Sequence, residues 1–312
     1  MPFPPHTEAP TATLRAVARR HGLPSDAIVR LPDTGIFNAI YLLDDEYILR
    51  VPRRHPAHYR ALYNESIAVP LARSLGVRTP ALLVYDDSCD LLPVPYTIYE
   101  RVSGETLGLL RVEPEATPQV WRELGRDLAR LHGGGIRQGL AAKLDERETL
   151  PDPRELAEVL ASGGWVTGSE TGWLTRWLNR IAPAALTPVE FRLSHGDTQA
   201  TNVMVHPDSH QYVAVIDWGS AGWGDPAWDF TGVPLRAVPF LLEGCREVAV
   251  LEADETVEAR ILWRYVQLAL FTARRNPQPD HSWAERPLTM LIEIARFFCT
   301  APPRPWIELR PG

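Results

Sequence analysis

Hydrophobic and polar residues alternate over several short stretches in the first hundred positions, which is typical of half-buried strands. The polar run 44–46 separates two of these stretches and predicts a hairpin turn. A longer stretch, 57–75, has helical spacing and ends at Gly76, and Pro70 within it predicts a kink or a break. We expect a helix at 12–21 and strands at 28–31, 38–43, 47–51, 81–85 and 95–101.

The pattern changes after Gly104, where apolar residues mostly recur at helical spacing. Thr117 followed by Pro118 is typical of a helix N-terminus. We expect helices at 118–131, 153–161, 172–181, 256–275 and 285–299, and short strands at 191–193, 203–205 and 212–216. Strands concentrated at the start and helices afterwards predict an α+β fold, either one large domain or two lobes.

Composition indicates an ordinary globular protein, with 312 residues that are 45% hydrophobic and 23% charged. The formal net charge of −7 argues against nucleic-acid binding, because nucleic-acid-binding proteins usually carry a basic excess. No apolar run is long enough to span a bilayer, and residues 1–10 lack the features of a signal peptide. The widely spaced Cys89, Cys245 and Cys299 predict reduced thiols and a cytoplasmic protein.

Lysine is almost missing, since Lys143 is the single lysine among 32 basic residues. A Walker A loop needs glycine directly before its lysine, and Ala142 stands there instead. The sequence therefore excludes a P-loop nucleotide-binding protein.

Four polar residues in the second half suggest a chemistry. His195 and Asp197 lie in a loop after one predicted strand, Asn202 begins the next strand, and Asp217 ends the strand after that. This strand–turn–strand arrangement predicts that Asn202 and Asp217 lie side by side. An amide oxygen and a carboxylate suit Mg²⁺, and the separate carboxylate of Asp197 suits a base that orients a hydroxyl. Together these features predict phosphoryl transfer.

The motif His195-x-Asp197-x4-Asn202, with Asp217 in Ile-Asp-x-Gly, resembles the aminoglycoside phosphotransferase and choline kinase superfamily. The stretch 224–229, Gly-Asp-Pro-x2-Asp, is similar to the same family. The resemblance extends over nearly the whole chain. It implies a protein-kinase-like two-lobed α+β fold, with a small β-rich N-lobe (1–101) and a larger, mainly helical C-lobe (102–312).

The resemblance also implies roles in the C-lobe. Asp197 is the expected catalytic base, and Asn202 and Asp217 are the expected Mg²⁺ ligands. We expect three further residues to support the catalytic loop, namely His195, Asp225 and Asp229. Independently of the family, Asp225 before Pro226 is typical of a helix N-cap with proline at the first helical position.

In the N-lobe, related kinases bind the nucleotide phosphates with a strand lysine that is paired with a helix glutamate. Arg50 stands at the matching strand position, and Glu65 in the next helix is its expected partner. The loop 32–38 lies where a kinase loop covers the phosphates, but a simple β-turn explains its single glycine equally well. The expected nucleotide-binding residues are Arg50, Glu65, Tyr99, Glu100 and Val102, with Glu100 and Val102 bonding the purine through their backbone and Tyr99 narrowing its pocket. The donor is ATP or GTP, and Tyr99 motivates the hypothesis of GTP preference.

The resemblance implies an acceptor with a hydroxyl group, and relatives accept aminoglycosides, macrolides, other antibiotics, choline-like amines, homoserine or sugars. The acidic C-lobe slightly favours a cationic acceptor. Six glutamates lie on or near the last helices, where acidic residues usually form a solvated face, but the resemblance implies that one or two of them bind an amine: Glu243, Glu247, Glu255, Glu258, Glu285 and Glu293. The acceptor-binding residues and the oligomeric state remain open at this level.

Three other classes compete with a kinase. An esterase fits the run His132-Gly-Gly-Gly, but the sequence has no G-x-S-x-G motif and these glycines fall at a helix end. A zinc hydrolase using His195, Asp197 and His206 lacks an H-E-x-x-H motif. A catalytically silent kinase-like binding protein is the serious alternative, and the presence of Asp197, Asn202 and Asp217 together argues for catalysis.

Overall fold

The structure is a computed structural model that describes residues 7, 9–32, 37–248, 255–278 and 282–312. Its strands are β1 (Ile28–Arg30), β2 (Asn38–Leu43), β3 (Tyr47–Pro52), β4 (Leu82–Asp86), β5 (Tyr96–Glu100), β6 (Glu105–Thr106), β7 (Arg192–Ser194), β8 (Val203–Val205), β9 (Tyr212–Val215) and β10 (Gly222–Gly224). Its α-helices are α1 (Thr11–Arg20), α2 (Pro56–Ser74), α3 (Leu107–Leu110), α4 (Pro118–Gly134), α5 (Pro153–Ser162), α6 (Gly168–Ala185), α7 (Val238–Glu247), α8 (Val257–Thr272) and α9 (Thr289–Cys299).

The first five strands form one antiparallel sheet in the order β1-β2-β3-β5-β4. The predicted hairpin joins β2 to β3, and the N–H of Glu46 donates to the carbonyl of Leu43 at 3.0 Å. Asp44 and Asp45 both have positive φ, 42° and 62°, as a type I′ turn requires. Aspartate tolerates this conformation better than most residues, so the polar run 44–46 was a reliable signal.

Helix α2 is continuous from Pro56 to Ser74, so of the kink or break expected at Pro70 the break is absent. Pro70 lies on the exposed face, where water can satisfy the carbonyl that loses its helical partner. The opposite face buries Ala68 and Ala72. Packing of this face holds the helix together across the proline.

Two short β-layers lie between the helices of the second part. Strands β6, β8 and β9 form a three-stranded antiparallel sheet, and β7 pairs with β10. The predicted strands 203–205 and 212–216 correspond to β8 and β9, which ends one residue earlier. Helix α6 begins at Gly168, four residues before the prediction, because Thr167 and Glu170 form a capping box. Helix α9 begins only at Thr289, after one separate 3₁₀ turn (Trp283–Glu285).

The buried hydrophobic residues form two clusters. The smaller one joins α1 to the N-terminal sheet, and the larger one fills the helical part. Ile67, Val69 and Ala72 of α2 belong to the larger cluster. Helix α2 is therefore packed from both sides and couples the sheet to the helical part.

All three cysteines are free, and Cys245 is the buried one. No helix within the described ranges is long and apolar enough to cross a membrane.

Helices α4 and α7 approach each other through glycines. A Cβ on Gly125 would collide with the carbonyl oxygen of Leu241, and a Cβ on Gly244 would collide with that of Arg122. Helix α7 was not predicted from the sequence, and its fit against α4 depends on the lack of side chains at these two positions.

We expect Gly125→Ala to lower the free energy of unfolding by about 1–3 kcal/mol or more, because the added methyl group forces the two helices apart. Gly168→Ala is the matched control, since a Cβ there meets no atom within 4 Å. Chemical denaturation of both variants measures the difference. Equal stability of the two variants would contradict the close packing of α4 on α7.

Candidate active site

The predicted catalytic loop leaves β7 at His195 and reaches β8 through a 3₁₀ turn (Ala200–Asn202). Gly196 has a φ of 84°, a conformation that favours glycine. A Cβ at Gly196 would collide with the carbonyl oxygen of Ser220 and lie 2.5 Å from Nη1 of Arg147. The second residue of the motif must therefore be glycine for two reasons, its backbone angle and its crowded surroundings.

His195 lies behind the loop and is fully buried. Its Nε2 lies 3.0 Å from the carbonyl oxygen of Ile216, and its Nδ1 lies 3.2 Å from the N–H of Asp197. Both bonds form when Nε2 carries the proton and Nδ1 accepts. Burial lowers the pKa of His195, which favours this neutral ring. The side chain ties the predicted catalytic loop to the residue that follows β9.

Asp229 anchors the same loop through its backbone. Its carboxylate accepts the N–H of His195 at 2.9 Å and that of Gly196 at 2.7 Å. Nε2 of His132 lies 2.9 Å from the same carboxylate. Desolvation opposes the charge of this buried group, but the bond from His132 and the loop amides hold the pKa of Asp229 below its usual range. Asp229 thus stays ionised and fixes the loop.

Asp225 has a different task. It accepts the N–H of Ala227 at 3.0 Å and caps the 3₁₀ helix Pro226–Phe230, which carries Asp229. It also pairs with Arg260 and lies 3.6 Å from Nε of Arg264. Asp225 is therefore an N-cap residue, as the sequence suggested. Its only connection to the loop is through Asp229 on the helix that it caps.

Asp197 lies in the loop with a partly exposed carboxylate. Its Oδ1 accepts from Nε2 of Gln199 at 2.6 Å, and its Oδ2 accepts from Nδ2 of Asn202 at 3.1 Å. Desolvation, with a contribution from the nearby charge of Asp217, raises the pKa of Asp197. A carboxylate with a raised pKa is a better proton acceptor than an ordinary aspartate.

Asn202 and Asp217 come from neighbouring strand ends, as the spacing predicted. The N–H of Ile216 donates to the carbonyl of Asn202 at 2.9 Å, which places Asp217 next in line. The side-chain nitrogen of Asn202 donates to Asp197, so its oxygen points elsewhere and can serve as a ligand. Within the described ranges, no cluster of three or more His, Cys, Asp or Glu side chains could hold a metal. An amide oxygen and a carboxylate still fit Mg²⁺, which takes its remaining oxygens from water and phosphates.

Arg50 joins three elements in the cleft. Its Nη1 donates to Glu65 of α2 at 2.8 Å, and its Nη2 donates to Asp217 at 2.9 Å. Desolvation opposes ionisation of Asp217, but the charge of Arg50 outweighs it and lowers the pKa of this carboxyl. The expected partnership of Arg50 with Glu65 is present in the structure.

Tyr99 is also part of this cluster. Its hydroxyl donates to the buried carboxylate of Glu65, and the guanidinium carbon of Arg50 lies 5.9 Å from its ring centre. Burial raises the pKa of both Tyr99 and Glu65. The sequence suggested that Tyr99 narrows a purine pocket, whereas its direct contact in the structure is to Glu65.

Glu100 and Val102 follow at the end of β5. The N–H of Glu100 donates to Ala81 at 3.0 Å, whereas the N–H of Arg101 donates in the opposite direction to Glu46 at 2.8 Å. Among the described residues, the N–H of Val102 has no hydrogen-bond partner. The backbone groups of Glu100 and Val102 thus point to the same side of the strand. The carbonyl of Glu100 and the N–H of Val102 can therefore face the same ligand.

A cavity of about 630 Å³ separates the sheet from the catalytic loop. It is lined by Arg50 and Glu65 from the first part of the chain, and by Asp197, Asp217 and Ser220 from the second. This volume is within the usual range for small-molecule sites. Residues 33–36 of the loop predicted to cover phosphates lie outside the described residues.

Arg147 was missed by the sequence analysis. Its guanidinium lies 5.1 Å from the ring of Trp228 and beside Gly196 of the catalytic loop. Desolvation lowers the pKa of Arg147, although the charges of Asp229 and Asp197 oppose this. No local pattern marked this residue, because it approaches the loop from a segment about fifty positions earlier.

The six glutamates considered for a cationic acceptor are mostly engaged elsewhere. Four pair with arginines: Glu243 with Arg122, Glu247 with Arg126, Glu258 with Arg246 and Glu293 with Arg236. Glu285 forms a capping box with Ser282. These five glutamates are therefore engaged within the protein and do not by themselves make a cation site.

The family model for the phosphotransferase enzyme family (APH) matches residues 28–271. The chain belongs to this family and is a phosphotransferase that acts on an alcohol group. This confirms the resemblance predicted from the motifs around Asp197 and Asp217. A comparison with curated proteins finds no match to the chain.

Solved structures share the fold at low sequence identity. A GDP complex of wild-type aminoglycoside 2'-phosphotransferase-IIIa is 18% identical with a TM-score of 0.67, and covers 92% of this chain and 98% of that chain. The apoenzyme of macrolide 2'-phosphotransferase MphH from Brachybacterium faecium is 21% identical with a TM-score of 0.61, and covers 84% of this chain and 90% of that chain. A ternary complex of streptomycin, ATP and APH(2")-IIa is 14% identical with a TM-score of 0.53, and the match covers 93% of this chain and 96% of that chain. These likenesses confirm the kinase-like α+β fold.

We expect Asp229→Ala to lower the free energy of unfolding by about 3–5 kcal/mol, because two loop amides and His132 lose their buried partner. Asp208→Ala, an exposed change in the β8–β9 turn, should stay within about 0.5 kcal/mol of wild type. Urea unfolding compares the three proteins. A variant at Asp229 as stable as the Asp208 control would show that the loop does not depend on this anchor.

Proposed function

We propose that this phosphotransferase moves the γ-phosphate of ATP or GTP to a hydroxyl of a small acceptor. One observation carries the proposal: a single cavity is lined by the carboxylates of Asp197 and Asp217 and by the Arg50–Glu65 pair. Phosphoryl transfer depends on positioning and on charge compensation, and these groups provide for both.

Asp197 is the proposed base. Its carboxylate is held by Gln199 and Asn202 at one edge and remains partly exposed to the cavity. In this position it orients an acceptor hydroxyl and takes up the hydroxyl proton as the phosphate is transferred. The raised pKa of Asp197 suits that task.

Asn202 and Asp217 are the proposed ligands of Mg²⁺. The amide oxygen of Asn202 and the ionised carboxylate of Asp217 match the preference of this ion for hard oxygen ligands. When bound, the ion neutralises charge on the phosphates of the donor. Arg50 adds a second positive charge on the side of the sheet.

We propose that the chain forms two lobes. The first, 1–101, binds the nucleotide, and the second, 102–312, carries the catalytic loop, the metal site and the acceptor site. The free N–H of Val102 and the direction of Glu100 support backbone recognition of a purine at the junction. Solved neighbours were obtained with GDP and with ATP, so both purines are retained as candidates. The engagement of Tyr99 with Glu65 gives no further support to GTP preference.

The proposed acceptor is a hydroxylated small molecule such as an aminoglycoside or a macrolide. Neighbouring structures contain kanamycin, streptomycin and gentamicin, which supports a cationic aminoglycoside. Three free thiols support a reducing, cytoplasmic location.

We expect Asp197→Asn to reduce turnover at least 100-fold, because the amide cannot accept a proton. Nucleotide affinity should stay within about twofold of wild type, since the change preserves shape. Release of nucleoside diphosphate in the presence of candidate acceptors measures turnover, with Asp208→Asn as the control. Wild-type turnover should also decline on acidification through the raised pKa of Asp197, because protonation removes the base. A variant that keeps more than a tenth of wild-type turnover would exclude Asp197 as the base.

We expect Asp217→Ala to abolish the part of nucleotide binding that depends on Mg²⁺, because a proposed ligand and a partner of Arg50 are lost together. Calorimetry with ATP and with GTP, each with and without Mg²⁺, identifies the purine and measures the metal dependence. Unchanged Mg²⁺-dependent binding in the variant would place the metal elsewhere. Failure of the wild type to bind either nucleotide would contradict the proposed nucleotide site.

A further inference from the structure

The side chain of Gln199 lies between the proposed base and the connection of α8 to α9. Its Nε2 donates to Oδ1 of Asp197 at 2.6 Å, and its Oε1 accepts from the hydroxyl of Ser282 at 3.0 Å. Ser282 is the N-cap of the 3₁₀ turn Trp283–Glu285 and lies 83 positions further along the chain than Gln199. One amide group therefore joins the catalytic loop to a turn of the distant helical part.

The chemistry of the partners fixes the direction of each hydrogen bond in this chain. The ionised carboxylate of Asp197 can only accept, so the amide nitrogen of Gln199 must face it. The amide oxygen then faces Ser282, whose hydroxyl accepts the N–H of Glu285 in the capping box and has its own proton left to donate. All bonds run in one sense toward the carboxylate, and hydrogen bonds arranged in this way polarise and strengthen one another.

The backbone anchors of the loop leave the carboxylate of Asp197 untouched. Asp229 accepts the N–H groups of His195 and Gly196, and the ring of His195 accepts the N–H of Asp197. Each of these bonds ends on a main-chain amide. The orientation of the carboxylate is therefore a separate task, which other side chains must perform.

Two side-chain donors perform this task. The last torsion of an aspartate side chain is broad, so a carboxylate held at one oxygen can still swing about that bond. In Asp197, Nδ2 of Asn202 holds Oδ2 at 3.1 Å and Gln199 holds Oδ1, so the plane of the carboxylate is fixed. Asn202 is also a proposed ligand of Mg²⁺. Gln199 is thus the donor of the two that has no proposed task at the metal.

The supports of Gln199 are themselves well packed. The carbonyl of Gln199 accepts the N–H of Asn202 at 2.8 Å, and a Cβ on Gly232 would lie only 3.2 Å from Cγ of Gln199. On the other side, Ala284 is buried and Trp283 packs against the larger hydrophobic cluster. The amide is therefore held between two fixed elements.

We propose that Gln199 is a positioning residue for phosphoryl transfer and that Ser282 acts through it. The proposal rests on the proposed function, because it takes Asp197 as the base. Gln199 orients the carboxylate toward the acceptor hydroxyl, and Ser282 keeps the amide of Gln199 from turning. The rate of transfer thus depends on a turn between α8 and α9 whose residues 282–285 do not line the cavity.

Four variants and one control test this role. Gln199→Met keeps the length of the side chain without its hydrogen bonds, and Gln199→Glu can still accept from Ser282 but cannot donate to Asp197. Ser282→Ala removes the hydroxyl, whereas Ser282→Thr retains it. Gln119→Met is the matched control, because Nε2 of the exposed Gln119 also donates to a carboxylate, that of Glu123 at 3.0 Å. Thermal unfolding verifies that each variant is folded, and Gln199→Glu decides the question if Gln199→Met is unstable.

Steady-state release of nucleoside diphosphate from ATP or GTP with Mg²⁺ measures the effect, with kanamycin, streptomycin, gentamicin and one macrolide as acceptors. We expect both Gln199 variants to lower kcat about tenfold or more, the effect of one lost hydrogen bond to a charged group, and to change KM for the nucleotide less than about twofold. Ser282→Ala should lower kcat about threefold, and Ser282→Thr should restore it. In the double variant, Ser282→Ala should add nothing to Gln199→Met, because the serine acts through the glutamine. The control should match wild type.

Unchanged kcat in both Gln199 variants would overturn the proposal, and so would a raised nucleotide KM at unchanged kcat. Additive losses in the double variant would show that Ser282 does not act through Gln199. If wild type turns over and the Gln199 variants match the Gln119 control, the kinase function stands and only the positioning role is wrong. If wild type releases no nucleoside diphosphate with any of these acceptors, the proposed function is contradicted and the positioning role falls with it.

Discussion

The guanidinium of Arg50 holds the cleft together. It reaches from β3 to Glu65 on α2 and to Asp217 after β9, so three elements from distant parts of the chain meet at one side chain. Glu65 is completely buried, and a buried carboxylate without a cationic partner is strongly destabilising. Arginine suits this place because its planar fork bonds two carboxylates at once, which a single ammonium group does less well. Because both terminal nitrogens of Arg50 already donate to carboxylates, fewer of its N–H groups are available for a phosphate.

A second set of buried polar contacts holds the catalytic loop from behind. His195 bonds the carbonyl of Ile216, and Asp229 bonds the amides of His195 and Gly196. These contacts use the motif histidine and the last aspartate of the family pattern as supports, which leaves the carboxylate of Asp197 facing the cavity. The proposed base needs a fixed position more than an unusual environment, since misplacement by about 1 Å can cost a hundredfold in rate.

Helix α2 connects these two regions physically. One end lines the cavity with basic residues, the middle carries Glu65, and the buried face packs into the larger hydrophobic cluster. A change in the position of α2 would therefore move Arg50, Glu65 and the basic turn together. Both walls of the cleft depend on how this helix packs against the helical part.

Much of the molecule could be predicted from local sequence. The hairpin at Asp44 and Asp45, the helix start at Pro118 and the N-cap at Asp225 depend on residues that are close in the chain, and each left a recognisable signal. The motif from His195 to Asn202 is also local, because one short loop carries both Asp197 and Asn202.

Tertiary structure alone decided the remaining features. Pro70 is accommodated because its helix face is exposed, and α7 fits against α4 because two glycines allow close approach. Arg147 reaches the catalytic loop, His132 reaches Asp229, and Tyr99 bonds Glu65 across long sequence separations. Contacts of this kind depend on the packing of whole elements, which leaves no periodicity or spacing in the sequence. The sequence by itself thus determined the family, the α+β order of elements and the motif that carries the proposed catalytic residues, whereas folding determined which charges face one another in the cleft.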